Sequence, residues 1–471
     1  MKKLYQKQIE ENPRFCVIPF TQGHITTEGE VALCCLAAYR HELGYRPNVR
    51  DETDLHKHWT GDWYKERRQR MLDGEALPEC RTCWKQDAQG PGSDRTIANK
   101  MISEHWKISG HIDDDWDINV ETGNSHDTPM WVDVRPGHIC NYKCRMCTPG
   151  VSDTIDKEQM EHTEVYKTTG AYVTGVDAAD PSSQTGLTFK DMSKWVDHPE
   201  TQDSLHKWLS HSKFVVMKLV GGEPLSTPGC IKLIQWCVET GNTDFVLAIT
   251  TNGSIGKGKI INLLKHFSEV RIDFSGDSNL ILDPKVNEYQ RKNANSQVMH
   301  ANMLAFMELP NCTVNYLCAT GIYNIFNIKN TLQYWYDYGM QKRHGKPVIN
   351  LIEHPNEFNI EILPESDRLQ IADEIDEYIN SVDYKRRVID VHQDFDSYIS
   401  GSRIHLLLDR LRNPLIDPND VDRLRKQCAK RTIAFDGIRI ESFTEVLHPR
   451  VAELINEWNL LFEIYLIRLC G

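Results

Sequence analysis

The sequence has no apolar run near the roughly 20 residues that a membrane-crossing helix needs. Its opening, MKKLYQKQIEENPRF, lacks the apolar centre of a secretory signal. It also has no excess of positive charge: 54 Lys and Arg stand against 67 Asp and Glu, a net charge of −13. A field of that sign does not hold a protein to nucleic acid or to an anionic membrane. No segment repeats at a solenoid period, and no extended low-complexity tract is present. The expectation is a soluble, cytoplasmic protein with neither nucleic acid nor membrane as a partner. What is present is a chain of 471 residues, long enough for one barrel-sized unit with smaller units beside it. Its 14 cysteines do not read as a disulfide framework, because cytosolic thiols are kept reduced. Clustered cysteines are therefore expected to bind metal, and scattered ones such as Cys230 and Cys237 to be core.

Between residues 130 and 364 short β-rich runs alternate with helical stretches, the pattern of βα units around a parallel sheet. The runs lie at 130–136, 214–220, 245–251, 270–275, 313–319 and 348–354, and six such units predict a partial (β/α)6 barrel. In IKLIQWCVETG, Ile231, Ile234, Cys237 and Val238 recur at helical spacing. Residues 151–212 break the rhythm with polar sequence including GVDAADPSSQTG, too long for an ordinary loop, and read as an insertion that could act as a lid. Before the barrel, residues 1–95 form a Cys-bearing segment; after it, residues 365–471 turn helical.

The first β run is followed by HICNYKCRMCTPG, which sets Cys140, Cys144 and Cys147 in CxxxCxxC spacing at a strand's C-terminal end, where barrels place their active sites. Soft thiolates suit iron-sulfur centres, and three of them leave the fourth iron of a [4Fe-4S] cluster open to the amine and carboxylate of a small molecule. A structural zinc loop is the alternative, but zinc normally takes four ligands. This spacing resembles the radical S-adenosylmethionine superfamily. The resemblance implies that the cluster reductively cleaves S-adenosylmethionine to a 5'-deoxyadenosyl radical, which abstracts hydrogen from a substrate.

Further segments follow the family's order. KLVGGEPLSTPG matches its GGEP element at Gly221, Gly222, Glu223 and Pro224, where the glycines allow close backbone approach and Glu223 accepts from the cofactor's ammonium. TTNGS offers Thr251 and Asn252 at the end of the third run. In VRIDFSGDS the family's ribose-contacting pair stands exchanged, as Asp273 and Ser275. NEYQR resembles a segment whose arginine binds the cofactor's carboxylate, here Arg291. Met146 stands where the family usually has an aromatic residue, and its thioether can pack against adenine.

A second cysteine set precedes the barrel. FCVIPFTQGHITTEGEVALCC and LPECRTCW supply Cys16, Cys34, Cys80 and Cys83, with Cys35 the alternative to Cys34. Four thiolates from three segments suit a fully ligated iron-sulfur cluster or a tetrahedral zinc site. The pattern resembles the SPASM and twitch domains that carry auxiliary [4Fe-4S] clusters in this superfamily, although those usually follow the barrel. The resemblance implies an oxidoreductase that receives electrons from a donor such as flavodoxin or ferredoxin and returns one through the auxiliary cluster. Oxidative modification of a peptide or protein is the expected reaction. The few residues before Cys16 do not make a leader-binding domain, which keeps a small-molecule substrate (a sugar, aminocyclitol or nucleoside-like compound) as the alternative, with a non-catalytic iron-sulfur or zinc scaffold as the rival of another class.

Overall fold

The computed structural model describes residues 3–37, 46–88, 92–104, 117–119, 128–170, 194–211, 214–342 and 344–470, with 103, 104 and 460–470 described by backbone alone. Part of the expected insertion 151–212, residues 171–193 with GVDAADPSSQTG, lies outside them. The chain is mixed α/β, with mostly parallel strands and many helices. Ten strands occur in the order β1 (Gln22–Ile25), β2 (Val31–Ala32), β3 (Trp131–Val134), β4 (Lys143–Cys144), β5 (Val216–Leu219), β6 (Val246–Thr251), β7 (Glu269–Ser275), β8 (Arg291–Lys292), β9 (Cys312–Thr320) and β10 (Pro347–Leu351). Six of them fall within or across the runs expected from sequence. These runs are legible because strands covered on both faces read as continuous apolar, β-branched stretches.

The chain divides into two compact units. The first comprises residues 1–138, 187–249 and 266–270. Its strands lie in the order β6-β5-β3-β1-β2, parallel except for the β1–β2 hairpin. Val132, Val134, Met217, Leu219, Leu247 and Ile249 alternate to one buried face of this sheet. The helix Pro228–Thr240 buries Cys230, Leu233, Ile234 and Cys237 at the expected helical spacing. The hairpin turns at Gly29, whose φ of +81° is open to glycine at little cost. The units do not coincide with the segments 1–95, 130–364 and 365–471, since β1 extends the sheet by pairing in parallel with β3.

The second unit comprises residues 139–186, 250–265 and 271–471. It holds the β10-β9-β7 order, with β9 and β10 parallel, and the antiparallel ribbon of β4 and β8. Its C-terminal portion is helical, with Glu365–Asn380, Ile404–Arg412, Pro418–Arg439 and Pro449–Cys470 as the main elements. Among the described residues no helix is long and apolar enough to cross a membrane.

Candidate functional site

In the first unit, Cys16, Cys34, Cys80 and Cys83 line one cavity together with Cys35, Glu79 and Arg95. Local structure brings them there: Cys16 precedes the helix Ile18–Thr21, Cys34 follows β2, and Cys80 and Cys83 straddle the junction of the turn Pro78–Cys80 with the helix Arg81–Ala88. Burial pushes all four thiols up, Cys80 to about 12, and the neighbouring sulfurs Cys80 and Cys83 add to the rise at Cys16. Arg95, fixed by Asp87 at 2.7 Å, opposes it at Cys16 and Cys80. Bound iron reverses this balance, because a coordinating thiol is deprotonated outright. Among the described residues no three His, Cys, Asp or Glu side chains draw together tightly enough for a single ion. The thiols instead surround a cavity, and an all-sulfur donor set around a cavity fits a cluster in which each thiolate bonds its own iron.

The second unit holds the CxxxCxxC loop. Cys144 lies in β4 and is the cross-strand partner of Arg291 in β8. The Cys147 N–H closes a turn onto the Cys144 carbonyl at 3.0 Å, and the Cys140 N–H donates to Asp153 Oδ1 at 2.9 Å. Asn252 Nδ2 lies 3.8 Å from Cys140 Sγ and donates to Asn141 Oδ1 at 2.8 Å. Burial raises the Cys147 thiol to about 11, with the charge of Cys140 contributing. At Cys144 burial dominates too, and Arg291 works against it. Three thiols in one loop, Cys144 sensing both others and Cys147 sensing Cys140, fit a [4Fe-4S] cluster with one iron free of protein ligand.

The other residues expected from sequence fall as follows. Gly221 has φ +133°, and a Cβ there would stand 3.1 Å from the Gly137 carbonyl, to which the Gly222 N–H donates at 3.1 Å. Glu223 is fully buried and accepts from the Leu225 N–H at 3.0 Å, capping the turn that Pro224 opens. Thr251 accepts from the Gly253 N–H at 3.2 Å. Asp273 and Ser275 share one half-buried face of β7, and Asp273 accepts from Asn315 at 3.0 Å. Met146 is half-buried. Arg291 is ion-paired with Asp277, Nε to Oδ2 at 2.8 Å and Nη2 donating to Oδ1 at 2.9 Å.

The family of the SPASM iron-sulfur cluster-binding domain matches residues 16–84, the span from the first to just past the last of the four cavity cysteines. This segment is similar to a SPASM iron-sulfur cluster-binding domain. None of the curated proteins matches the chain. Crystal structures of Streptococcus suis SuiB, alone, bound to S-adenosylmethionine and bound to the precursor peptide SuiA, each match at 12% identity over 71% of this chain and 64% of theirs, with a TM-score of 0.30. The chain thus spans less than two thirds of the length of those structures, and a likeness of that size carries no argument about activity.

Beyond the SPASM cysteines, three residues at the second cysteine loop were not singled out in the sequence. Asp153 anchors Cys140, and Asp277 holds Arg291 while accepting from the Ala319 N–H at 2.9 Å. Arg145, inside the loop itself, is buried with Nη2 at 2.5 Å from Asp436 and 2.6 Å from Glu441, and its guanidinium stacks 3.7 Å over the Tyr289 ring. A basic residue between two closely spaced cysteines was the available signal for Arg145. Its partners lie about 290 residues away by their numbers, beyond the reach of any local pattern.

Proposed function

We propose that the chain is a radical S-adenosylmethionine enzyme of the SPASM subgroup, built on a partial (β/α)6 barrel, that performs an oxidative modification of a peptide or protein. The observation that carries the reading is the loop of Cys140, Cys144 and Cys147, in which Cys144 senses both other thiols and Cys147 senses Cys140, with Asn252 against Cys140 and Arg291 across from Cys144, in a chain whose residues 16–84 match the SPASM family. When bound, the [4Fe-4S] cluster of this loop and S-adenosylmethionine would supply one-electron cleavage to a 5'-deoxyadenosyl radical and abstraction of a substrate hydrogen atom.

The chain's own residues set up that chemistry. Cys140, Cys144 and Cys147 would hold the cluster, and Asp153 and Asn252 fix the first of them. Thr251, Asn252, Asp273, Ser275 and Met146 are the proposed contacts to the nucleoside, and Gly221, Gly222, Glu223 and Pro224 those to the methionyl end. Arg291 with Asp277 orders the strand that carries Cys144. Cys16, Cys34, Cys80 and Cys83 would hold the auxiliary cluster, whose proposed role is to take up an electron, and a flavodoxin or ferredoxin is the proposed external donor.

Anaerobic reconstitution with iron and sulfide, followed by reduction in the presence of S-adenosylmethionine, tests the reading. The expected result is 5'-deoxyadenosine from the wild type and none from Cys140→Ala. Absence of 5'-deoxyadenosine from protein fully loaded with iron overturns it.

A further inference from the structure

A second cavity in the first unit shares a wall with the SPASM cysteine cavity. It has a volume of about 150 Å³, room for one small residue-sized group, and Cys35 and Asp94 line both. Its floor includes Asp133 and Lys218 on adjacent parallel strands, with His24 beside Asp133. His24 in β1 is the register partner of Asp133 in β3, which is the register partner of Lys218 in β5. Because these positions pair directly, their side chains leave the sheet on one face. The opposite wall comes from the helix Asp94–Glu104, which contributes Ile97 and Met101.

The polar groups of this floor are not consumed by one another. Asp133 is 1% exposed; its Oδ2 lies 3.4 Å from His24, while its Oδ1 has Arg135 no nearer than 3.9 Å and no hydrogen-bond partner. Burial alone would raise this carboxyl, but His24, Arg135 and Lys218 hold it below the usual range. Lys218 is half-buried and has no ion-pair or hydrogen-bond partner among the described residues. A buried carboxylate oxygen without a donor, and an ammonium that senses Asp133 but makes no ion-pair or hydrogen-bond contact among the described residues, face one cavity and leave hydrogen-bonding capacity that a guest can complete.

The charges define that guest. Lys218 calls for an anionic acceptor, and the carboxylates of Asp94 and Asp133 call for an N–H donor beside it. Two carboxylates so near would repel a dianion such as phosphate, whereas a monoanion joined to an N–H group fits, with an apolar side chain lying against Ile97 and Met101. We propose that this cavity binds an amino-acid unit bearing a free carboxylate, which Lys218 receives, as either the C-terminal residue of a peptide or a single amino acid. As the identity of a substrate this rests on the enzymatic reading above; as a binding site it does not.

Calorimetric titration of the iron-loaded, unreduced protein separates the sources with three probes: L-leucine, the tripeptide glycyl-glycyl-L-leucine, and N-acetyl-L-leucinamide, which lacks the carboxylate. At least one free-carboxylate probe is expected to bind about tenfold or more tighter than the amide. Tripeptide alone would identify a peptide C-terminus, and leucine alone a free amino acid. Lys218→Met is expected to erase the preference and Lys218→Arg to keep most of it, which guards against a folding defect. The proposal is overturned if neither free-carboxylate probe binds at up to about 10 mM, or if Lys218→Met leaves the preference intact. Binding without 5'-deoxyadenosine production would overturn the enzymatic reading and leave the cavity assignment standing.

Discussion

Cys34 and Cys35 are adjacent in the chain and meet different neighbours. Besides Cys35 itself, Cys34 is surrounded by the sulfurs of Cys16 and Cys80, while Cys35 senses Asp133, Arg135, Asp94 and Lys218. The choice that spacing left open therefore becomes a choice between a sulfur environment and a charged one. In a background with Cys140, Cys144 and Cys147 replaced by Ala, Cys34→Ser is expected to lose the remaining iron and sulfide, and Cys35→Ser to keep them; the reverse pattern in iron analysis would assign Cys35 as the ligand. Arg145 makes a separate residue-scale case. Replacing it with Met removes a fully buried cation from Asp436 and Glu441, both within 2.6 Å of it, and leaves Asp436 only its neutral donors Tyr289 and Phe443 and Glu441 only Lys292. Breaking a buried pair in this way costs about 3–5 kcal/mol. Urea unfolding of Arg145→Met should show a loss of that size, together with less iron retained at the adjacent cysteines. Unchanged stability would mean that the pair contributes nothing net.

At the scale of elements, the helix Asp153–Glu161 follows the cysteine loop and is tied to the long helix Pro418–Arg439 through one carboxylate. Glu158 is buried, 2.7 Å from Arg439 and 3.1 Å from Lys143, and accepts from the Tyr166 hydroxyl at 2.8 Å. Burial pushes its carboxyl up, but Arg439, Tyr166 and Lys143 outweigh that and hold it below the ordinary range. A carboxyl whose folded value lies below its unfolded one stabilises fully above the unfolded value, about 4.3, and ceases to do so as pH falls through the folded value. Glu158→Gln is therefore expected to be less stable at pH 7 by about 3 kcal/mol and to lose less than the wild type between pH 6 and strong acid. Parallel pH profiles in urea melts would rule this out. The same contacts mark where sequence reasoning ends. The strand runs were legible because each is a local apolar pattern, and the cysteine sets because soft ligands at close spacing are rare. β1, with the sequence QGHI, has no such pattern and is a strand because it pairs with β2 and β3. The bracing of the cysteine loop by Asp436 and Glu441, like the pairing of Asp277 with Arg291, depends on which distant segments fold together.

At the scale of the whole molecule, each cysteine set belongs to one compact unit: Cys16, Cys34, Cys80 and Cys83 to the first, Cys140, Cys144 and Cys147 to the second. No ligand of either set is borrowed from the other unit. If each set holds a four-iron cluster, the chain should carry about eight irons when fully reconstituted, and the two should be separable by mutation. Replacing Cys80 and Cys83 with Ala removes two of the four proposed ligands at the N-terminal site, and about four irons should remain. Because the Cys140 loop is untouched, this variant should still produce 5'-deoxyadenosine when supplied with an external reductant, while failing to complete a net oxidation of substrate that needs a second electron acceptor. The complementary Cys140, Cys144 and Cys147 variant should also retain about four irons but make no 5'-deoxyadenosine. Iron content with cofactor cleavage measured on the same preparations distinguishes these outcomes. If the Cys80 and Cys83 variant loses all of its iron or all of its cleavage activity while remaining folded, the two centres are not independent, and the division of labour between them has to be abandoned.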